Sequence, residues 1–239
     1  MIKVVSWPLP YLGSRWSFEP GRETIPDVYS IFRDGSDAGR FAAQIYRGLR
    51  EGDLGTEPVV ELACLIGELD SGCSPVREIL ERPAAELTSE EVAQLGRDLL
   101  TLTGFDRLWA TLETAVKVVE GDVRASGIDA VLEITIPDWD DSGCARVGCC
   151  GGCGGPPVWP SSGRDAGVAL VEIADAVQDV VMEHIWGVWP TCPEHRLGLH
   201  AAMVEGTAVW QCAGTGLHTA AAIGDLGPSS RQRHSHRSN

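Results

Sequence analysis

The spacing of two cysteine–histidine pairs near the C-terminal end constrains the fold more than any other feature of the chain. Cys192 and His195 form a C-x2-H pair, and Cys212 and His218 form a C-x5-H pair, with sixteen residues between the two pairs. Thiolate sulfur and imidazole nitrogen are common donors of tetrahedral zinc sites, and structural sites often take them as two close pairs separated by a connector. The spacing therefore predicts one structural zinc ion bound by these four side chains.

The connector between the two pairs has the pattern of a β-hairpin. Strand-like segments at 199–204 and 207–212 flank the dipeptide Glu205-Gly206, which suits a two-residue turn. The register set by such a turn makes one face of the hairpin apolar. That face carries Leu199, Ala201, Met203, Ala208, Trp210 and Cys212. The hairpin returns Cys212 to the neighbourhood of the first ligand pair.

Paired metal ligands around a β-hairpin resemble the zinc-ribbon class, and the resemblance covers residues 189–226. Common zinc ribbons have four cysteines in two C-x2-C pairs, whereas two of the four ligands here are histidines. The resemblance implies a small antiparallel sheet closed by a structural metal, and residues 219–223 are expected to add a third strand. Glu194 is expected to accept a hydrogen bond from a ligand, and His200 is not expected to bind the metal. The alternative is that these cysteines and histidines only pack within a small β domain.

A second cysteine feature lies in the glycine-rich stretch at residues 143–163. Its C-x4-C-C-x2-C pattern consists of Cys144, Cys149, Cys150 and Cys153. Four thiols within ten residues can bind zinc or an iron–sulfur cluster, and the last C-x2-C is also a weak redox motif. A high glycine content, however, makes a segment costly to order. We therefore predict a flexible linker, with a second soft-metal site and redox chemistry as the alternatives.

Composition limits the classes of protein to which the chain can belong. It has 239 residues, 44% of them hydrophobic, and a net charge of −15. Only the last thirteen residues carry a net positive charge. Binding to a nucleic-acid backbone is therefore not expected. No run of eighteen apolar residues suggests a membrane span, and Pro8 and Pro10 interrupt the apolar start that a secretory signal would need. Clustered cysteines without an export signal favour reduced thiols in the cytoplasm.

The pattern of apolar residues predicts an α+β fold. Residues 1–125 show helical spacing and are predicted to form a mainly helical domain, in which Thr88-Ser-Glu-Glu91 is a capping box. Residues 126–163 are predicted to form a strand plus the glycine- and cysteine-rich linker. Residues 164–226 are predicted to form a long helix that covers the zinc-stapled hairpin, and residues 227–239 a disordered basic tail.

These features favour a cytoplasmic, non-enzymatic zinc-binding protein that interacts with another protein. The first alternative is a metal-dependent hydrolase, which would use three of the four ligands and leave one metal position for water. The second alternative is an acidic protein, similar to immunity proteins or antitoxins, that neutralises a basic partner. It rests on the net charge of −15.

Overall fold

The computed structural model describes residues 33–69 and 73–227. Within these ranges the chain has the predicted α+β class, with six α-helices and two three-stranded antiparallel sheets. The helices are α1 (Asp37–Glu51), α2 (Thr56–Leu69), α3 (Ser74–Leu80), α4 (Ser89–Thr103), α5 (Phe105–Ala125) and α6 (Ala166–Ile185). The strands are β1 (Leu132–Thr135), β2 (Ala145–Cys149), β3 (Gly152–Val158), β4 (Leu199–Val204), β5 (Thr207–Cys212) and β6 (His218–Ala222).

The predicted basic tail lies outside the described residues from position 228 onward. Among the helices that the structure does describe, none combines the length and the apolar character needed to cross a bilayer.

Helix α4 begins at the predicted capping box. The backbone amide of Glu91 donates to the hydroxyl of Thr88 at 3.3 Å, and the amide of Thr88 donates to the carboxylate of Glu91 at 2.8 Å. Both amides belong to the first turn, where the helix itself offers no acceptor. The helix ends at Gly104, whose φ of +69° is the left-handed conformation that glycine adopts without a steric penalty. The prediction of a capping box is confirmed.

Replacing Thr88 with alanine is expected to lower the free energy of unfolding by about 1 kcal/mol, the usual cost of removing an N-cap hydroxyl. Urea denaturation followed by far-ultraviolet circular dichroism measures this loss. The matched control is Ser89→Ala, because Ser89 is the first helical residue and not the cap. An equal loss in both variants would show that the capping hydroxyl makes no special contribution.

Helices α5 and α6 lie at the centre of the molecule and pack along each other. Helices α1 to α4 pack together, and α4 contacts α5. Helix α6 contacts β2 and β3 of one sheet and β4 and β5 of the other, and α5 contacts β1. One cluster of buried side chains runs through the helices and both sheets. Strands β4 and β5 of the C-terminal sheet therefore pack on helix α6.

The prediction of a flexible linker at residues 143–163 is wrong. This stretch forms β2, β3 and a short 3₁₀ helix at Pro160–Arg164. Strand β2 pairs with β1 on one side and with β3 on the other. A two-residue turn joins β2 to β3, with positive φ at Cys150 (+53°) and Gly151 (+89°), as a type I′ turn requires.

The glycines that suggested a linker instead permit close packing on α6. A Cβ atom at Gly155 would lie 3.0 Å from the carbonyl oxygen of Ala176, and one at Gly154 would lie 3.3 Å from a methyl group of Val180. Strand β3 thus approaches the helix more closely than side chains would allow. Glycine residues give no alternating apolar pattern, so the sequence alone does not reveal this strand.

The second sheet has the predicted hairpin. Strands β4 and β5 pair over six residues, with Val204 opposite Thr207 at the turn. Glu205 and Gly206 both have positive φ, at +50° and +78°, which is again the type I′ geometry. Strand β6 pairs with β5 as the predicted third strand. Most of the predicted apolar face is buried, but Met203, next to the turn, is 42% exposed.

Candidate metal centre

The first ligand pair lies on a tight loop before β4. A β-bridge between Thr191 and Gly198 closes the loop, and the amide of Cys192 donates to the carbonyl of Leu197 at 2.8 Å. The loop places the sulfur of Cys192 3.7 Å from Nδ1 of His195. A short local segment thus brings both side chains to one point, as the C-x2-H spacing predicts.

The second ligand pair lies across two strands. Cys212 on β5 is directly opposite His218 on β6, so the two side chains share one side of the sheet. The loop between them includes Gly216 with φ of +80°. Gly214 lies against the first pair, because a Cβ atom there would come within 2.9 Å of the His195 imidazole. Gly214 and Gly216 therefore allow the loop to turn tightly and to pack against His195, which brings the two ligand pairs close together.

The four predicted ligands converge in one cluster. The sulfur of Cys192 lies 3.6 Å from Nε2 of His218, and the sulfur of Cys212 lies 3.6 Å from Nδ1 of His195. One donor atom from each residue lies within 4.8 Å of the other three. Both cysteines are buried and both histidines are half-buried. This arrangement can hold a metal ion.

The two thiols differ in their tendency to ionise. Burial opposes ionisation of Cys192, but backbone hydrogen bonds from His195 and Glu194, together with the side chains of His195 and Cys212, lower its pKa to about 6. For Cys212, burial and the neighbouring charges of Cys192 and Glu194 raise the pKa above its ordinary value of 9.0, although the amide of Gly214 donates to its sulfur at 3.4 Å. At neutral pH the metal-free site therefore holds one thiolate and one thiol.

This asymmetry predicts that metal binding at pH 7 to 8 releases about one proton from the two thiols rather than two, because a metal binds both as thiolates. Affinity is then expected to fall about tenfold for each pH unit lowered in this range, and more steeply below the Cys192 pKa of about 6. Calorimetric titration in buffers of different ionisation enthalpy counts the protons. A release of two protons per metal at pH 8 would contradict the lowered pKa of Cys192.

Two neighbouring side chains were assigned minor roles from the sequence. His200 is exposed on β4 and does not belong to the cluster, as predicted. Glu194 is exposed, and its carboxylate lies 4.0 Å from Nε2 of His218. Because that nitrogen is the one facing Cys192, Glu194 does not hold the outer nitrogen of the imidazole in the way that its predicted supporting role requires.

The four cysteines of the glycine-rich stretch do not all come together. Cys144 donates its thiol hydrogen to Asp140 at 3.2 Å and accepts a bond from the hydroxyl of Ser142 at 3.0 Å. Cys149 and Cys150 lie side by side, with 3.7 Å between their sulfur atoms, and the side chain of Cys153 lies outside the described part of the structure. The prediction that Cys144 shares a site with Cys149 and Cys150 is therefore not supported.

A buried carboxylate that was not singled out from the sequence joins the second sheet to helix α5. Asp122 on α5 is fully buried. It accepts hydrogen bonds from the indole of Trp210 at 2.7 Å and from the amides of Gly224 at 2.7 Å and Leu226 at 2.9 Å. Its position three residues after Val119, on the apolar side of the helix, was the available signal.

A second buried polar side chain fixes the loop that carries the first ligand pair. The amide nitrogen of Gln178 on α6 donates to the carbonyl oxygens of Trp189 at 3.0 Å and Leu199 at 2.6 Å. The indole of Trp189 in turn donates to the hydroxyl of Ser126 at 2.9 Å. The ligand loop is therefore held by α6 and by Ser126, the C-cap residue of α5.

The fold and the site together define the class: an α+β protein with a four-residue Cys/His group able to bind a metal ion. Comparison with known protein families, with curated proteins and with solved structures finds no match. The geometry of the site therefore carries the functional argument.

Proposed function

We propose that this chain is a zinc-binding interaction protein in which Cys192, His195, Cys212 and His218 hold a structural Zn²⁺ ion. The observation that carries the proposal is the convergence of two sulfur and two nitrogen donors within 4.8 Å of one another. Two thiolates and two imidazoles in a tetrahedral arrangement are a donor set that Zn²⁺ prefers.

The distances between donors support a tetrahedral ion. Zinc bonds of about 2.3 Å to sulfur and about 2.0–2.1 Å to nitrogen, at the tetrahedral angle, separate a sulfur from a nitrogen donor by about 3.5–3.6 Å. Three of the sulfur–nitrogen separations in the cluster are 3.6–3.7 Å. Little rearrangement is then needed when the ion binds, so the site is preorganised.

The number and burial of the ligands favour a structural over a catalytic ion. Four protein donors complete the tetrahedron and leave no position for a water molecule. Cys192 and Cys212 are almost completely buried, with 1% and 0% exposure. A hydrolase would need one position open to water, so this alternative fits the site less well.

The surroundings of the site support a role in protein interaction. Four large apolar side chains on the segments next to the ligands are exposed: Trp186, Val188, Leu197 and Leu217. Trp186 is the most exposed of them, at 92%. Exposed aromatic and aliphatic groups beside an ordered site are typical of protein contact surfaces. With the net charge of −15, they favour a protein partner that has an apolar contact area and basic groups around it.

The chemistry of the ligands also bears on the compartment. Both cysteines must stay reduced to bind the ion, and reduced thiols persist in the cytoplasm. We therefore include a cytoplasmic location in the proposal.

The test is the metal content and the coordination of the full-length, reduced protein. His234→Gln and His236→Gln are introduced first, because the two tail histidines would otherwise bind metal nonspecifically. We expect a tightly held zinc ion that is lost in Cys192→Ser and retained in Cys64→Ser, since Cys64 is an exposed thiol on α2. Cobalt substituted at this site should show tetrahedral coordination without exchangeable solvent. Exchangeable water on that cobalt would instead favour the hydrolase, and no bound metal would remove the proposal.

A further inference from the structure

A second group of donors lies away from the proposed zinc site. It consists of Cys149 at the end of β2, Cys150 in the turn that follows, and His184 in the last turn of α6. One donor atom of each residue lies within 4.8 Å of the other two. The imidazole is more than thirty residues from the thiols in sequence, so packing of the hairpin on α6 creates this group.

We propose that Cys149, Cys150 and His184 form a second metal site, open to solvent, for a soft or borderline cation such as Zn²⁺. Two thiolates and one imidazole are the protein ligands of one type of catalytic zinc site, in which water takes the fourth position. This inference does not depend on the ion proposed at Cys192.

The backbone holds the two thiols together. Cys150 has φ of +53° in the β2–β3 turn, and its amide donates to the carbonyl of Val131 at 3.2 Å. The turn therefore places the Cys150 sulfur 3.7 Å from that of Cys149. Asparagine and glycine fit the position of Cys150 in a type I′ turn better than cysteine does. The geometry of the turn therefore does not explain why a cysteine occurs there.

The end of α6 favours a cation at this point. His184 lies in the last turn of the helix, where the partial negative charge of the backbone carbonyls attracts positive charge. A cation held by His184 therefore gains from the helix end.

Exposure distinguishes this group from the first. Cys149 is buried but Cys150 and His184 are exposed, whereas both thiols of the first cluster are buried. A metal with three protein ligands at such a position keeps at least one site for water or an added ligand. It should also exchange faster and be removed by weaker chelators than an ion enclosed by four protein donors.

The test uses the full-length, reduced protein with His234→Gln and His236→Gln, titrated with Zn²⁺ and with Co²⁺. We expect two equivalents, one of which a weak chelator removes while the other stays. Cys150→Asn and His184→Gln should each lose only the weakly held equivalent, and Cys64→Ser should keep both. Because asparagine adopts positive φ more readily than cysteine, Cys150→Asn should be at least as stable as the parent protein.

The outcomes separate this site from the proposed function. Loss of the tight equivalent in Cys192→Ser, with the weak one retained, supports two independent sites. Added imidazole should change the absorption of cobalt at the weak site and leave the tight site unaltered. Binding of a single equivalent by the parent protein, retention of both equivalents by Cys150→Asn, or a weak-site spectrum insensitive to imidazole would each overturn the inference.

Discussion

Cys192→Ser is expected to release the tightly bound metal and to lower the free energy of unfolding by about 4 kcal/mol, the linkage contribution of a ligand present at about 1,000 times its dissociation constant. The serine hydroxyl is a poor replacement for a thiolate ligand. The loss should be largest in the C-terminal sheet, because Cys212 on β5 and His218 on β6 would be joined by the proposed ion. Urea denaturation at fixed free zinc measures the effect.

Chelation is the matched control for this prediction. Removing zinc from the parent protein should lower its stability to that of chelator-treated Cys192→Ser, and chelator should change the variant much less than the parent protein. The near-ultraviolet circular dichroism of Trp189 and Trp210, whose rings meet edge to face at 5.4 Å, reports on the packing beside the site. Equal stability of the parent protein with and without chelator would contradict a structural role for the ion.

Asp122→Ala is expected to lower the free energy of unfolding by about 3–5 kcal/mol, because it removes the charged acceptor of three hydrogen bonds and leaves the buried indole of Trp210 without a partner. The indole of Trp210 and the amides of Gly224 and Leu226 all donate to this carboxylate. Trp210 is fully buried, so water cannot easily replace the acceptor of its indole, whereas the amides of Gly224 and Leu226 lie in residues that solvent reaches. Thermal and urea denaturation of the zinc-loaded protein measure the loss.

Asp122→Asn is the matched control for the second prediction. Its single carbonyl oxygen can still accept hydrogen bonds, but its amide group donates instead of accepting. The expected loss is therefore smaller than in Asp122→Ala. The folded fraction of both variants should still bind the tight metal ion, since Asp122 is not among the donors. A loss below about 1 kcal/mol in Asp122→Ala would show that the buried hydrogen bonds contribute little net stability.

The two variants probe different parts of one assembly. The proposed metal would join the loop of Cys192 and His195 to the second sheet, and Asp122 joins that sheet to α5. If both contributions are independent, the losses in a double variant should add. Coupling between them would show that docking on the helix helps to arrange the metal ligands.

Features that depend on neighbours in sequence were predictable. The capping box at Thr88 and Glu91 needs only a four-residue segment. The hairpin at 199–212 follows from a two-residue turn and the alternation of apolar residues, which together set its register. The ligand pairs could be found because each lies on a short turn or on directly paired strands.

Features that depend on contact between distant segments were not predictable. Strand β3 is rich in glycine and carries no periodic pattern, and its order comes from packing on α6. His184 and Cys150 become neighbours only through the same packing. In the sequence, Asp122 cannot be distinguished from other acidic residues on helices. It is buried because the second sheet covers it.

The sequence by itself determined the class of the fold, the hairpin register and the four members of the C-terminal Cys/His group, because turn geometry and residue spacing act over a few residues. Only the tertiary structure decided where the glycine-rich stretch lies, which histidine meets its thiols and which acid holds the second sheet on α5. The physical reason is that burial and close approach depend on how α5 and α6 pack with the two sheets, and no local pattern specifies that packing.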